Sequence, residues 1–299
     1  MKELLEVLRK DGILVRENCA LSEYSTFRVG GASRAAAFPN TREKLIKALN
    51  SVRDFGVHFI VIGNGSNVVF SDAGFDGLVI FTGDCKTFFV DGTRIVADCG
   101  VSLGKIATTA LEHGLAGAEF LFGIPGTVGG GVFMNAGAFG GTMADICVSS
   151  EYWDLDTGMI DTLVGDEQEF DVRTSAYDKN PQYVLLGATF ELREGNTKDI
   201  RAQMDDFLSR RKNTQPLEYP SAGSVFKRPV GYFAGRLIED CGLKGRTVGG
   251  AQVSQRHAGF IINIGGATAA DIKALVEEIK SVVLREMGVG LECEIRFIE

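Results

Sequence analysis

The chain has 299 residues, enough for about two domains of ordinary size, each able to bury its own core. Its 38 glycines against 6 prolines, with no G-x-y period, exclude collagen and disordered linker and point to backbone that turns tightly or approaches a ligand closely. Thirty-one Lys and Arg against 39 Asp and Glu leave a net charge of −8, whose field repels polyanions and excludes a general nucleic-acid or anionic-membrane binder. A phosphorylated ligand would therefore need local amide and basic donors. Cys19, Cys85, Cys99, Cys147, Cys241 and Cys293 form no C-x-x-C pair and suit scattered reduced thiols in a cytoplasm. His58, His113 and His257 are too dispersed for a metal-binding motif, and no metal is expected.

MKELLEVLRKDG opens the chain as a short amphipathic helix, with Leu4, Leu5 and Leu8 on one face and Gly12 ending it, and is not read as a signal peptide. Residues 40–55 have a second helical stripe, Leu45, Leu49, Val52 and Phe55, with Asn40 and Glu43 resembling a capping box and Gly56 as the stop. A buried strand, 57–62, runs into the loop Gly63-Asn64-Gly65-Ser66-Asn67, and VVF and GLVIF follow as strands. KTFFV and RIVADC pair as a hairpin across Asp91-Gly92, and 102–113 forms a helix closed by Gly114. EYWDLD and MIDTLV make a second hairpin, and 183–192 is another strand. The helix 196–213 reads as a bridge into a second domain, which contains the loop YPSAGSVFKRP, a helix over 233–240, the strand GFIINI, the helix 268–287 and a terminal alternating strand, LECEIRFI.

Two glycine loops stand out. Residues 63–67 can point successive N–H groups at an anion, although a plain tight turn explains them too. They do not make a Rossmann turn, because Asn67-Val68-Val69-Phe70 reads as strand where that motif opens a helix. In GIPGTVGGGVFMNAGAFGG (123–141), Gly126, Gly129, Gly130 and Gly131 can bring amides to a pyrophosphate at a helix N-terminus, with close helix-to-strand packing as the alternative. Ser224 lies beside Lys227 and Arg228 on a glycine-flexed loop, where a turn role competes with catalysis. Glu294 shares a face with Arg296 and reads by default as a solvated edge charge, and Arg173 as a surface residue.

Taken together, STFRVGG, VIGNGSNVVFSDAGFDGLVI, GIPGTVGGGVFMNAGAFG, VRTSAY, YPSAGSVFKRP, GLKG, AQVSQRHAGFIIN and LECEIRF resemble the UDP-N-acetylenolpyruvoylglucosamine reductase family in its shorter form. The resemblance implies an α+β protein with a two-subdomain FAD-binding domain of the oxidase (PCMH-type) superfamily over residues 1–196, divided at about 81/82, and an α+β substrate domain over 197–299. It implies non-covalent FAD on Gly63, Asn64, Gly65, Ser66, Asn67, Pro125, Gly126, Thr127, Gly129, Gly130, Asn135 and Gly137, with NADPH as co-substrate. Arg173, Ser224 and Glu294 match the catalytic set, and Lys227, Arg228, His257 and Asn263 the substrate side. The implied reaction reduces a UDP-sugar enolpyruvyl ether to UDP-N-acetylmuramate in the cytoplasm. Arg173 and a protonated Glu294 would steady the developing carboxylate charge while Ser224 delivers a proton. The expected partners are these small molecules, with no nucleic acid or membrane, and the chain is expected to be a monomer. Val172 and Glu299 depart from the family's pattern. A flavin oxidase of the same superfamily and a flavin-free binding protein are the competing readings.

Overall fold

Hydrophobic periodicity places the helices, and a computed structural model describes all 299 residues. The chain divides into two units that interleave in sequence: 1–17, 35–64 and 77–210 form the first, and 18–34, 65–76 and 211–299 the second. Residues 18–34 and 65–76, which the sequence reading keeps with the first 196 residues, thus pack with the C-terminal segment. The chain passes from one unit to the other within the helix Thr197–Thr214.

In the first unit, the leucine stripe makes the helix Lys2–Lys10, burying Leu4, Leu5 and Leu8. The next helix is Arg42–Phe55, stopped by left-handed Gly56, but its cap is Thr41, whose Oγ1 accepts from Lys44 N–H, and not Asn40. Both residues can cap; the first turn begins one residue later than the Asn40–Glu43 spacing predicts. The strands Phe59–Ile62 and Phe75–Phe81 run parallel, Phe59 opposite Leu78 through Ile62 opposite Phe81. They belong to a four-stranded sheet completed by Ala32–Phe38 and Leu14–Ala20. A second, antiparallel sheet of five strands holds both expected hairpins, Phe88–Asp91 with Arg94–Asp98 and Cys147–Asp154 with Ile160–Val164, joined through Tyr183–Glu191. The helix Leu103–Glu112, capped by Ser102, lies in the same apolar core.

The second unit's core gathers Phe27, Val29, Val69, Val225, Ile238, Val253, Ile272, Leu275, Ile279 and Val283. Its long helix, Ala269–Met287, has a capping box from Thr268 and Asp271 and ends at left-handed Gly288. The terminal segment keeps only part of its expected alternation: Leu291 and Ile295 are buried and Glu292 and Arg296 exposed, but the strand itself is Arg296–Ile298. It pairs parallel to Val68–Phe70, a partner that nothing local in either segment specifies. All six cysteines are free thiols. No helix is long and apolar enough to cross a membrane.

Asp72 reinforces the long helix from outside it, its carboxylate accepting from Ala269 N–H at 2.7 Å and Ala270 N–H at 3.0 Å. Those donors are otherwise orphaned at a helix start, where negative charge is favoured. Asp72→Ala should therefore lower the unfolding free energy by about 1 kcal/mol, read as a reduced urea midpoint with unchanged slope.

Candidate active site

In the first unit the two glycine loops meet. A Cβ on Gly63 would lie 2.4 Å from Thr127 Oγ1, so only glycine admits the contact. Beside it, Asn64 Nδ2 donates to the Pro125 carbonyl at 3.1 Å. Thr127 caps the short helix Val128–Phe133. The N–H groups of Gly63, Asn64, Gly126 and Thr127 have no acceptor within the chain, although Thr127 is only 1% exposed. An unmet donor on a buried residue is costly, about 1–3 kcal/mol, unless a ligand oxygen takes it. These donors fit the diphosphate of FAD, which needs amides rather than net positive charge. A cleft of about 490 Å³ opens alongside, lined by Asn64, Ser102, Lys105, Thr108, Pro125 and Gly126. Ser102 and Lys105 escaped the motif reading because they sit in the next helix; Leu103 N–H donating to the Gly126 carbonyl is what brings them here.

Not every glycine of the second loop offers its amide. Gly129 N–H donates to the Cys99 carbonyl at 2.8 Å, and a Cβ there would lie 3.1 Å from that of Cys99. Close packing accounts for Gly129, correcting its reading as an amide donor to the cofactor. Gly130 N–H faces the Thr127 cap oxygen at 3.4 Å. Further on, Asn135 is buried and Gly137 half-buried, and both carbonyls receive the Arg173 guanidinium, at 3.4 Å and 3.1 Å. Arg173 is half-buried, with φ +56°, and so is not the plain surface residue of the default reading. Behind its segment lies a buried relay: Tyr177 Oη donates to Ser150 Oγ, Ser150 Oγ to Gln168 Oε1, and Gln168 Nε2 to the Cys147 carbonyl. Burial pushes the Tyr177 phenol well above its usual range, so it stays a donor. Val172, by contrast, is 62% exposed and packs against little in its unit.

The second unit holds the rest of the first glycine loop. Gly65, with φ +60°, must be glycine, since a Cβ would fall 2.1 Å from the Tyr24 carbonyl oxygen. The N–H groups of Gly65, Ser66 and Asn67 have no acceptor within the chain. Asn67 reaches toward the terminal segment: its Nδ2 donates to the Glu294 carbonyl at 3.1 Å, and its own carbonyl accepts from Arg296 N–H at 2.9 Å. Glu294 N–H in turn donates to the Val225 carbonyl at 2.7 Å, and Lys227 N–H to the Glu292 carbonyl at 2.9 Å. Ser224 bridges to Phe260 on its other side. Ser224 and Glu294 are thereby held on adjoining extended segments, both half-buried, and Glu294 is not the solvated edge charge of the default reading.

Lys227 Nζ pairs with Glu292 at 2.5 Å, and the Arg228 guanidinium lies 3.9 Å over the Phe233 ring. They line a cleft of about 530 Å³ with Tyr232, Met287 and Val289. The other two expected substrate residues have structural work. Asn263 Nδ2 donates to the Phe27 carbonyl, and its Oδ1 accepts from Gly265 and Ala267 N–H, which spends the side chain on backbone. His257 Nδ1 accepts from Gly259 N–H at 3.2 Å, folding the ring over its own turn against Phe260. Arg173 belongs to the first unit; Ser224, Lys227, Arg228 and Glu294 belong to the second.

Comparison with known proteins fits this arrangement. Residues 33–163 match the FAD binding domain family, and 215–298 match the family described as UDP-N-acetylenolpyruvoylglucosamine reductase, C-terminal domain. UDP-N-acetylenolpyruvoylglucosamine reductase of Caldanaerobacter subterraneus subsp. tengcongensis is 41% identical over 99% of this chain and 97% of its own length. That of Clostridium novyi is 42% identical over 99% and 95%. The chain belongs to the UDP-N-acetylenolpyruvoylglucosamine reductase family. The crystal structure of the Thermus caldophilus enzyme, 33% identical, superposes with a TM-score of 0.81 over 96% of this chain and 99% of that one. As a member of this reductase family, the chain is an α+β flavoenzyme, an FAD-dependent oxidoreductase of peptidoglycan-precursor synthesis. That places it apart from a flavin-free binding protein and from an oxidase of another alcohol.

Burial holds the His257 imidazole below its ordinary value. The unfolded chain then takes up the proton first, so the stability His257 contributes is intact above about pH 6.5 and is lost as pH falls through the lower folded value. The urea midpoint of the wild type should drop between pH 7 and pH 5 by more than that of His257→Gln; equal drops would remove His257 from the pH response.

Proposed function

We propose that the chain catalyses the NADPH-dependent reduction of UDP-N-acetylglucosamine enolpyruvate to UDP-N-acetylmuramate in the cytoplasm, with FAD bound non-covalently. The observation that carries this reading is the hydrogen bond from Glu294 N–H to the Val225 carbonyl, which holds Glu294 on the segment adjoining Ser224, in the same loop whose Lys227 and Arg228 line a cleft. FAD supplies the chemistry of accepting a hydride from NADPH and passing it to the vinyl carbon of the enolpyruvyl ether.

The residues divide the remaining work. The unmet amides of Gly63, Asn64, Gly126 and Thr127 would hold the cofactor's diphosphate. Arg173 offers a planar fork of donors to the substrate carboxylate, whose negative charge grows as hydride reaches the neighbouring carbon. Glu294 in its acid form would donate to the same carboxylate. Ser224 Oγ then gives its proton to the adjacent carbon; a hydroxyl is a weak acid, sufficient because a carbanion is a strong base. Lys227 steadies the alkoxide left behind, and Arg228 lines the cleft that would receive the anionic part of the substrate. An acidic chain without a membrane-spanning helix suits such small anionic partners, provided the positive charge is this local.

Because proton delivery follows flavin reduction, the two half-reactions separate Ser224 from the cofactor's chemistry. Ser224→Ala should bleach its flavin with NADPH at a near-normal rate in stopped flow. Reoxidation by the enolpyruvyl substrate should slow by about 10²- to 10⁴-fold. Impaired bleaching with normal reoxidation would assign Ser224 to the NADPH step instead.

A further inference from the structure

Asn135 was implied by resemblance to touch the cofactor, yet its side chain is committed elsewhere. It is 7% exposed, with φ +42°, a left-handed conformation that Asn tolerates better than most side chains. Its Nδ2 donates to the Asp171 carbonyl at 3.0 Å, and its Oδ1 accepts from Ala144 N–H at 3.0 Å. Asp171 lies two residues before Arg173. Asn135's own carbonyl accepts from Arg173 Nη1 at 3.4 Å, while the Gly137 carbonyl accepts from Nη2 at 3.1 Å.

The contacts form a closed loop. From Asn135 one arm, its amide, holds the backbone just before Arg173, and the other, its carbonyl, holds the guanidinium itself. Arg173 is also left-handed, φ +56°, in a tight segment where Val172 N–H bonds to the neighbouring Asp171 side chain, Asp171 and Thr174 pair with each other, and the Thr174 hydroxyl donates to Asp178 at 3.1 Å. A non-glycine residue persists in that conformation only where its surroundings over-determine it. Anchoring a guanidinium by its Nη atoms fixes the plane of its fork, and bidentate recognition of a carboxylate depends on that plane.

We propose that Asn135 is a positioning residue for Arg173, fixing both the backbone conformation and the guanidinium plane with which Arg173 meets the substrate carboxylate. This rests on the reading of Arg173 given under Proposed function. It assigns Asn135 no direct contact with cofactor or substrate.

The test uses the holoenzyme. Asn135→Asp keeps the acceptor for Ala144 N–H and tolerates the left-handed backbone but removes the donor to Asp171. It should keep full flavin content and be reduced by NADPH within about twofold of wild type, yet be reoxidised by the enolpyruvyl substrate about 10- to 100-fold more slowly. In an Arg173→Lys background, which already lacks the fork, adding Asn135→Asp should slow reoxidation less than twofold further, because the positioned group is gone. Lost flavin, an equally slowed NADPH step, or effects that multiply in the double variant would each overturn the proposal. If Asn135→Asp does not fold, Asn135→Gly, which bears no strain at this φ, replaces it with the same expectations. A wild type that NADPH reduces but this substrate does not reoxidise would sink the functional reading alone. A crystal structure of the variant then decides the positioning: Arg173 should have left the Asn135 and Gly137 carbonyls, and an unmoved Arg173 would overturn the proposal whatever the substrate.

Discussion

The missing side chain at residue 63 is the constraint on which the cofactor face of the first unit depends. Thr127 Oγ1 stands where a Cβ would be, and that approach lets Asn64 reach the Pro125 carbonyl. With the two loops locked, four amide N–H groups there are left without an acceptor in the chain, fixed donors for an oxyanion, and only that of Thr127 belongs to a buried residue. Thr127 serves three ends at once: it fills the gap beside Gly63, caps the helix that follows, and contributes an unmet donor.

This explains how an acidic protein can hold a phosphorylated cofactor. Backbone amides carry partial positive charge in fixed directions and add nothing to the net charge, so the long-range field can stay repulsive to polyanions. Where full charges are used, in the second unit, they are tempered. Lys227 is paired with Glu292, and the exposed Arg228 is spread over the Phe233 ring.

Asparagine recurs behind the residues assigned to chemistry. Asn67 holds the carbonyl of Glu294, Asn135 the segment of Arg173, and Asn263 the turn at 265–267. A primary amide brings a donor and an acceptor without a charge. It can therefore tie two backbone segments together in a buried place without the desolvation cost of an ion. The motif reading gathers Asn67 and Asn135 with the glycines as one cofactor set and puts Asn263 on the substrate side, because their position in a loop is visible in sequence and the direction of their side chains is not.

What the sequence determined by itself was what neighbours within a few residues decide. The leucine stripe of Lys2–Lys10, the stop at Gly56 and the hairpin turns at Gly92 and Gly158 are local choices of period and φ, and they are legible in single segments. Even here the phase slipped once, at Asn40 and Thr41, where two adjacent residues can both cap. The family's motifs also lie in single segments, which is why the functional class was readable. Only the tertiary structure decided that Val68–Phe70 pairs with the last strand, that residues 18–34 and 65–76 pack with 211–299, that the Gly129 amide goes to Cys99, and that the Asn263 amide goes to Phe27. Each of these joins segments that are remote in the chain, and no single segment encodes its partner: backbone donors and acceptors are the same at every residue, so which of them meet is settled by how the cores pack.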